Sequence, residues 1–283
     1  MSAPIGFIPR KAMPFDEKLF EIIGGNETLT IAKHVMTLLP APVFPPDSVI
    51  HDSACGLGPV TESILALSPP DTIKIVATDL APPMAAIYNN LAEAKNWPSR
   101  AEVMDAQNLS FPDATFSHAF LSFGLPIIDD PVAAAKELYR TLRPGGTAVT
   151  AFWLHVPQGE CAQKTRRAIW GPNAQLNIEP HPEHSDREYI RSLLVKGGFK
   201  FEDVQLHEKS ALLPVQDLDE FARAIWSSIG QPKGGWTEED DEKWDLAVAK
   251  YKELLASESG YKVERGTISL KATAQIAMVR KAV

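Results

Sequence analysis

Between Ser48 and Trp153 the chain alternates short apolar, β-branched runs with stretches of helical periodicity, five strands in all. Such alternation commits a chain to a mostly parallel sheet, because each strand–helix unit returns the next strand in the same direction and covers a face of the sheet. The spacing predicts strands at Ser48–Asp52, Lys74–Thr78, Ala101–Met104, Phe116–Leu125 and Thr147–Trp153. Helices are expected at about Val60–Leu67, at Met84–Lys95 and from Asp129-Asp130-Pro131 through Leu142. Pro82-Pro83 is expected to delay the second of these helices, and Arg143-Pro144-Gly145-Gly146 reads as a turn before the fifth strand.

Ligands in such sheets sit beyond the carboxyl ends of the strands. The first strand runs into VIHDSACGLGPV, residues 49–60, where Asp52 is followed by a small-residue turn carrying Ala54, Gly56 and Gly58. Short side chains let a backbone approach a ligand closely, and the free N–H groups of the turn and helix start can receive polar atoms. Asp79 ends the second strand, beside Leu80, where a carboxylate can accept hydrogen bonds from both hydroxyls of a ribose. A nicotinamide, flavin or adenosyl group would satisfy that geometry equally. Asp105 ends the third strand with Ala106-Gln107 beside it, and Ser122-Phe123-Gly124 ends the fourth. The nucleotide readings diverge at the turn: CGLGPV lacks a full GxGxxG, and no GxxxxGK[ST] is present.

The flanking segments are less legible. Residues 15–39 read as two short helices divided at Gly24-Gly25, covering a sheet edge or forming a lid with Phe15 and Phe20 as contacts. After the fifth strand come a helix around Ala162–Ile169, the loop PNAQLNIEPHPEHSD, a helix from Ser185 to Lys196, a sixth strand at Phe199–Leu206 and a last strand at 267–280. An amphipathic pair, about Asp217–Ile229 and Glu238–Ser257, separates the last two strands. It reads as an acceptor-pocket wall offering Trp226 and Trp236, as a subunit interface, or as extra core. His155, just past strand five, is the preferred general-base candidate and His181 the second; Trp153 joins the substrate-pocket candidates, while His118 reads as structural.

Composition narrows the partners. A formal charge of -8 gives no long-range pull toward nucleic acid or anionic membranes. Two cysteines, Cys55 and Cys161, make no disulfide framework or metal knuckle, which suits a reducing, cytoplasmic setting. No apolar run reaches the ~18 residues of a membrane span, and the N-terminus lacks a secretory core.

Taken together, HDSACGLGPVT, Asp79, MDAQNLSFPDATFSHAFLSFGL and LYRTLRPGG resemble the motifs of class I S-adenosylmethionine-dependent methyltransferases, especially the small-molecule branch that includes the ubiquinone/menaquinone C-methyltransferases. The first glycine of the family's GxGxG-like turn is replaced here by Ser53 or Ala54. The resemblance implies an α/β fold: a seven-stranded, mostly parallel Rossmann-like sheet with an antiparallel last strand, helices on both faces and a helical insertion at about 214–264 before that strand. It implies one methyltransferase domain over 1–283, with an N-terminal helical cap (1–45), a cofactor core (46–153) and an acceptor-side half (154–283). It also implies Asp79 on the donor's ribose, Asp105 and its neighbours on adenine, and Asp52, Ala54, Gly56 and Gly58 beside the methionine moiety. S-adenosyl-L-methionine would be the donor, S-adenosyl-L-homocysteine the product, and no catalytic metal is required. The expected acceptor is a small, hydrophobic or aromatic metabolite methylated by in-line displacement, in a monomer or homodimer. A binding or assembly protein, or an enzyme of another reaction class on the same fold, is the competing reading. Amino-base methylation is disfavoured because strand four ends in LSFG and not in an N/D-P-P-Y/F motif.

Overall fold

The computed structural model describes residues 6–14, 17–24, 26–178 and 182–283. Its helices and strands follow in the order α1 (Glu17–Gly24), α2 (Glu27–Leu38), β1 (Val49–Ser53), α3 (Pro59–Leu65), β2 (Lys74–Asp79), α4 (Pro82–Ala94), β3 (Ala101–Val103), β4 (Phe116–Ser122), α5 (Pro131–Thr141), β5 (Leu142–His155), α6 (Pro157–Trp170), α7 (Tyr189–Gly197), β6 (Gln205–Val215), α8 (Leu218–Ile229), α9 (Glu238–Glu242), α10 (Trp244–Ala256), β7 (Tyr261–Glu264) and β8 (Thr267–Arg280). Seven strands form one path in the order β3-β2-β1-β4-β5-β8-β6, and β7 pairs with β8 off that path. β1 to β5 are parallel throughout, with Asp52 opposite Ala77 and Phe120, and Asp79 opposite Val103. Reciprocal bonds from Gly145 N–H to Lys281 C=O and from Lys281 N–H to Gly146 C=O lay the end of β8 beside the start of β5, so β8 runs antiparallel to it. This is the expected Rossmann-like architecture, a mostly parallel sheet with an antiparallel end and helices on both faces.

The chain visits β2 and β3 on one side of β1, and β4 and β5 on the other. The order therefore reverses between β1 and β4, and a crevice opens beyond their carboxyl ends. Those ends are well anchored. Ile50, Asp52, Ala77, Ala119 and Phe120 are buried, and His51 is fully buried against Phe116 with its Nε2 2.9 Å from Thr78 Oγ1. Burial pulls the His51 imidazole down to about 3, so it packs as a neutral ring. His118 likewise serves structure, with its ring edge on Phe44 and its proton affinity pushed down to about 4 by burial.

Several boundaries differ from the sequence expectation. α4 begins at Pro82, because proline fits the first helical positions where no N–H is needed. Strand character in β5 begins at Leu142: Phe116 pairs with Leu142 and His118 with Thr147, so the Arg-Pro-Gly-Gly turn is a bulge within the strand. The sixth strand starts at Gln205, since 201–203 form a 3₁₀ turn after Phe199 is buried in the core. The expected helix at 238–257 is interrupted at Lys243, after a short first segment that the capping box of Thr237 and Asp240 opens.

By contact density the chain divides into two compact units. One comprises residues 28–154, 183–210 and 273–283; α5, α7 and the sheet enclose its main core, including Leu121, Leu138, Leu142, Leu193 and Val279. The other comprises 1–27, 155–182 and 211–272, with a core of α6, α8 and α10 side chains including Trp226, Trp244 and Tyr251. Among the described residues no helix is long and apolar enough to cross a membrane.

Candidate active site

The strand ends of the sheet unit gather the cofactor residues expected from sequence. Asp52, Ala54, Gly56 and Gly58 lie at or just beyond the end of β1; Asp79 and Leu80 close β2; Asp105, Ala106 and Gln107 follow β3; Ser122 and Phe123 close β4.

The turn after β1 is built from left-handed backbone. Ala54 (φ 51°), Gly56 (φ 52°) and Gly58 (φ 77°) all have positive φ. A non-glycine residue pays for that conformation in steric strain, so Ala54 marks a segment held by its surroundings. Its partners are Thr78 C=O, which accepts the Cys55 N–H at 2.9 Å, and Gly124, where a Cβ would come within 3.0 Å of the Ala54 Cβ. The β1 and β4 loops therefore abut at the crevice. The two glycines serve different ends. A Cβ on Gly58 would strike Trp97 and Tyr88 at 2.7 and 2.8 Å, so that position is filled by protein. A Cβ on Gly56 would meet nothing within 4 Å, so the backbone there faces open space.

Asp79 ties this turn to β2. Its Oδ2 accepts the Gly56 N–H at 2.9 Å, and its Oδ1 accepts the Ala81 N–H at 2.9 Å. Each ionised oxygen offers about two acceptor sites, so one remains on each for a pair of vicinal hydroxyls. Asp79 thus braces Ala81, the N-cap residue of α4, which has no side-chain cap of its own, and still keeps these acceptor sites. Beside it Leu80 is 62% exposed and Val103 is 55% exposed, an apolar surface against which a flat ring could rest.

Asp52 is turned to a different task. It is fully buried, and its Oδ2 accepts both the backbone N–H and the hydroxyl of Thr61, at 3.1 and 2.8 Å. The N–H of Thr61 is one of the orphan donors at the start of α3, whose N-cap Gly58 has no side chain to satisfy it. Tyr88 extends the network, donating to Thr61 Oγ1 at 2.9 Å and lying 2.8 Å from Ser99 Oγ. Burial pushes the Asp52 carboxyl up to about 7, with the Asp79 charge adding to the rise and the Thr61 bonds opposing it. Sequence reading missed Thr61, Tyr88 and Ser99, because their spacing from Asp52 follows no local period.

Asp105 holds the next loop. Its Oδ1 accepts the Gln107 N–H at 2.9 Å, the Gln107 amide also donates to both carboxylate oxygens, and Gln107 Oε1 accepts the Asp130 N–H. Ala106 is 8% exposed and packs into the core. Arg140 clamps the following segment by donating to the carbonyls of Leu109 and Phe111 and to Asp113 and Glu137. Ser122 is half-buried, and Phe123 adopts φ 62° with its N–H on Ala151 C=O at 2.7 Å. Its ring lies 4.5 Å from that of Trp153 on β5.

The glycine turn, the ribose-competent carboxylate and the apolar strip fit an adenosyl sulfonium. Comparison with known proteins decides the class. Residues 50–146 match the family described as a methyltransferase domain. The chain carries a class I S-adenosylmethionine-dependent methyltransferase domain. It is similar to the methyltransferase TpcH of Aspergillus fumigatus, 27% identical over 251 residues that cover 82% of this chain and 84% of that protein. It is also similar to the demethylmenaquinone methyltransferase of Thermus thermophilus, 36% identical over 110 residues, 39% of this chain and 49% of that one. Among solved structures, the YcgJ protein of Bacillus subtilis shares the fold, with a TM-score of 0.54 at 16% identity over 90% of this chain and 98% of that one. The enzyme is a methyltransferase that takes its methyl group from S-adenosylmethionine and leaves S-adenosylhomocysteine.

The other candidates of the methyltransferase fall elsewhere. Trp226 is fully buried in the helical unit, stacked on Trp170 and near Trp236, so in this structure it presents no surface; Trp236 is half-buried beside Trp244. In the same unit a buried Arg166–Asp240 ion pair links α6 to α9, and the Arg166 guanidinium lies 4.0 Å from the Trp170 ring centre. In the sheet unit His184 packs its ring on Phe152. His155, the last residue of β5, places Nδ1 2.7 Å from Glu160 Oε1, and the same oxygen accepts the Val156 N–H at 3.1 Å. Glu258 completes a cluster with these two, and it already accepts the Lys164 ammonium at 2.6 Å. Donors and acceptors in this cluster are thus satisfied in pairs. Sequence reading missed Glu160, whose partnership with His155 depends on the turn at Val156-Pro157. Phe15 and His181 lie outside the described residues, as does the side chain of Phe20.

Proposed function

We propose that the enzyme methylates a small, hydrophobic or aromatic metabolite by direct in-line displacement. The observation that carries this reading is the pair of half-buried rings, Phe123 and Trp153, side by side at the ends of β4 and β5. They lie on the strand-end edge, Phe123 among the cofactor residues and Trp153 next to it, and offer an aromatic flank with no charged group of their own. The similarity to a demethylmenaquinone methyltransferase of Thermus thermophilus supports the same class.

On this reading Asp79 holds the donor's ribose hydroxyls, with Leu80 and the Asp105–Gln107 loop along the adenine. The open face at Gly56, with Ala54 and Gly58 shaping the turn, admits the methionine portion, and Asp52 stiffens that turn through Thr61. Ser122 and Phe123 border the reacting centre. The acceptor's lone pair forms the new bond to the methyl carbon as the carbon–sulfur bond breaks, and sulfur retains that bonding pair. Positioning dominates the catalysis, because the sulfonium is already activated. For an acceptor that carries a proton we assign the base to His155, whose Nδ1 is engaged by Glu160, leaving Nε2 to take the proton. The domain reading follows as well: one methyltransferase domain in which residues 46–153 form the cofactor core.

The test is incubation with methyl-labelled S-adenosylmethionine and a panel of phenols, hydroquinones, thiols and aliphatic amines, read by mass spectrometry. Label should transfer to ring-bearing members with an equal yield of S-adenosylhomocysteine. Transfer confined to aliphatic amines would overturn the acceptor assignment.

A further inference from the structure

The helical unit holds buried donors that the fold leaves without acceptors. The indole N–H groups of Trp170, Trp226 and Trp244 and the Nε–H of Arg166 are shielded from solvent, and none has a hydrogen-bond partner. Arg166, Trp226 and Trp244 are each more than nine-tenths buried. An unmet buried donor costs free energy, so four within one core mark it out. They are also neighbours. The Arg166 guanidinium lies 4.0 Å from the Trp170 ring centre, Trp170 stacks on Trp226 at 6.0 Å, and Trp236 bridges Trp226 and Trp244 at 6.4 and 5.5 Å.

Trp236 is the movable member of the group. Before it, the chain is fixed by backbone bonds from Asn177 N–H to Gln231 C=O and from Lys233 N–H to Gln175 C=O, at 2.8 and 3.1 Å. After it, the capping box of Thr237 and Asp240 fixes the start of α9. Between these anchors stand Gly234 and Gly235, both at positive φ (102° and 95°), and a Cβ on either would meet nothing within 4 Å. Glycine keeps a wide choice of dihedrals, so the pair is a hinge on which the half-buried Trp236 ring can swing with both anchors intact. Trp226, by contrast, is fixed: it is fully buried, and a Cβ on Gly230 would come within 2.6 Å of its ring.

The chemistry of the cluster selects its ligand. Indole faces favour a flat ring, and N–H groups without acceptors favour a carbonyl oxygen. Arg166 is already neutralised by the buried Asp240, so a charged ligand would lose its water without gaining a counter-ion from that pair. We infer that the helical unit contains a binding site, closed by Trp236, for an uncharged fused-ring compound that bears a carbonyl group. The site is independent of the methyl-acceptor assignment above.

Calorimetric titration of the full chain without S-adenosylmethionine tests it with three probes: chromone; chroman, which keeps the fused rings but lacks the carbonyl; and chromone-2-carboxylate. Wild type should bind chromone with a Kd below ~1 mM and the other two at least ~10-fold more weakly. Trp170→Phe and Trp244→Phe each keep a ring and remove a donor, and each should weaken chromone binding ~3- to 10-fold while leaving chroman unchanged. Fluorine NMR of wild type labelled with 5-fluorotryptophan, its resonances assigned by single Trp→Phe replacements, reads the location without relying on the stability of any variant under titration. Chromone should shift the signals of Trp170, Trp226, Trp236 and Trp244 and leave Trp97 unmoved. No chromone binding by wild type, equal affinity for chroman, tighter binding of the carboxylate, or shifts confined to Trp97 or Trp153 would overturn the inference.

Discussion

Replacing Asp79 by alanine separates two roles that one carboxylate performs. In the free enzyme it accepts N–H groups from Gly56 and Ala81, both at 2.9 Å and both part-buried. Leaving a buried donor unsatisfied costs ~1–3 kcal/mol, and partial access to water brings each of these toward the lower end, ~2 kcal/mol together. For a chain of this size that is a fall of about 5 °C in Tm. In the complex the same carboxylate accepts two ribose hydroxyls. Hydrogen bonds to a charged group contribute ~1.5–3 kcal/mol each, so their loss weakens binding by ~3 kcal/mol or more, at least ~100-fold in Kd. The assay is calorimetric titration with S-adenosylhomocysteine, paired with a thermal melt. Asp79→Asn should fall between, because it keeps one acceptor oxygen but turns an amide toward a backbone N–H. Affinity within about threefold of wild type in Asp79→Ala would refute the ribose assignment, and an unchanged melt would refute the clasp on Gly56.

Further outcomes follow from the same edge of the sheet. Gly56→Ala should cost only ~1 kcal/mol of stability, from its left-handed backbone, yet lower affinity for S-adenosylhomocysteine at least ~10-fold by filling the open space; Gly58→Ala should instead destabilise the fold by ~2–3 kcal/mol through its clash with Trp97 and Tyr88, as denaturant melts would show. Asp52 binds its proton more tightly folded than unfolded, so its contribution to stability is greatest at low pH and is lost as pH rises from about 4 to about 7; Asp52→Asn should flatten that part of the stability–pH curve, and an unaltered curve would show the group to be ionised throughout. Arg166→Ala leaves Asp240 buried and uncompensated, and a loss of ~3–5 kcal/mol is expected by chemical denaturation.

The parallel sheet and its acid-tipped strands were legible because each rests on a local signal: apolar runs bounded by turn residues, with Asp52, Asp79 and Asp105 near their ends. Errors arose where the local signal was ambiguous. Pro82-Pro83 can delay a helix or open one, and only the chain's approach to Asp79 selects the second. Arg143-Pro144-Gly145-Gly146 has turn chemistry, yet pairing with β4 and with Lys281 draws it into β5 as a bulge. The stretch from Glu238 to Ser257 reads as one helix, yet α9 stops at Glu242 and α10 starts at Trp244, because the all-charged run before Lys243 has no apolar face to pack as the α10 face does. The polar YKVE run gave no strand signal, and β7 forms because β8 supplies a partner. The contact of Asp52 with Thr61 after β1, and that of His155 with Glu160 after β5, each join residues across a turn whose geometry no spacing rule encodes.

Hydrogen–deuterium exchange with and without S-adenosylhomocysteine tests most directly whether these strand ends hold the methyl donor. Added ligand should slow exchange in peptides covering 53–60, 79–82, 104–108 and 121–124 together, leaving α10 unaffected. Binding without protection at 53–60 and 79–82, or protection confined to other segments, would contradict the account.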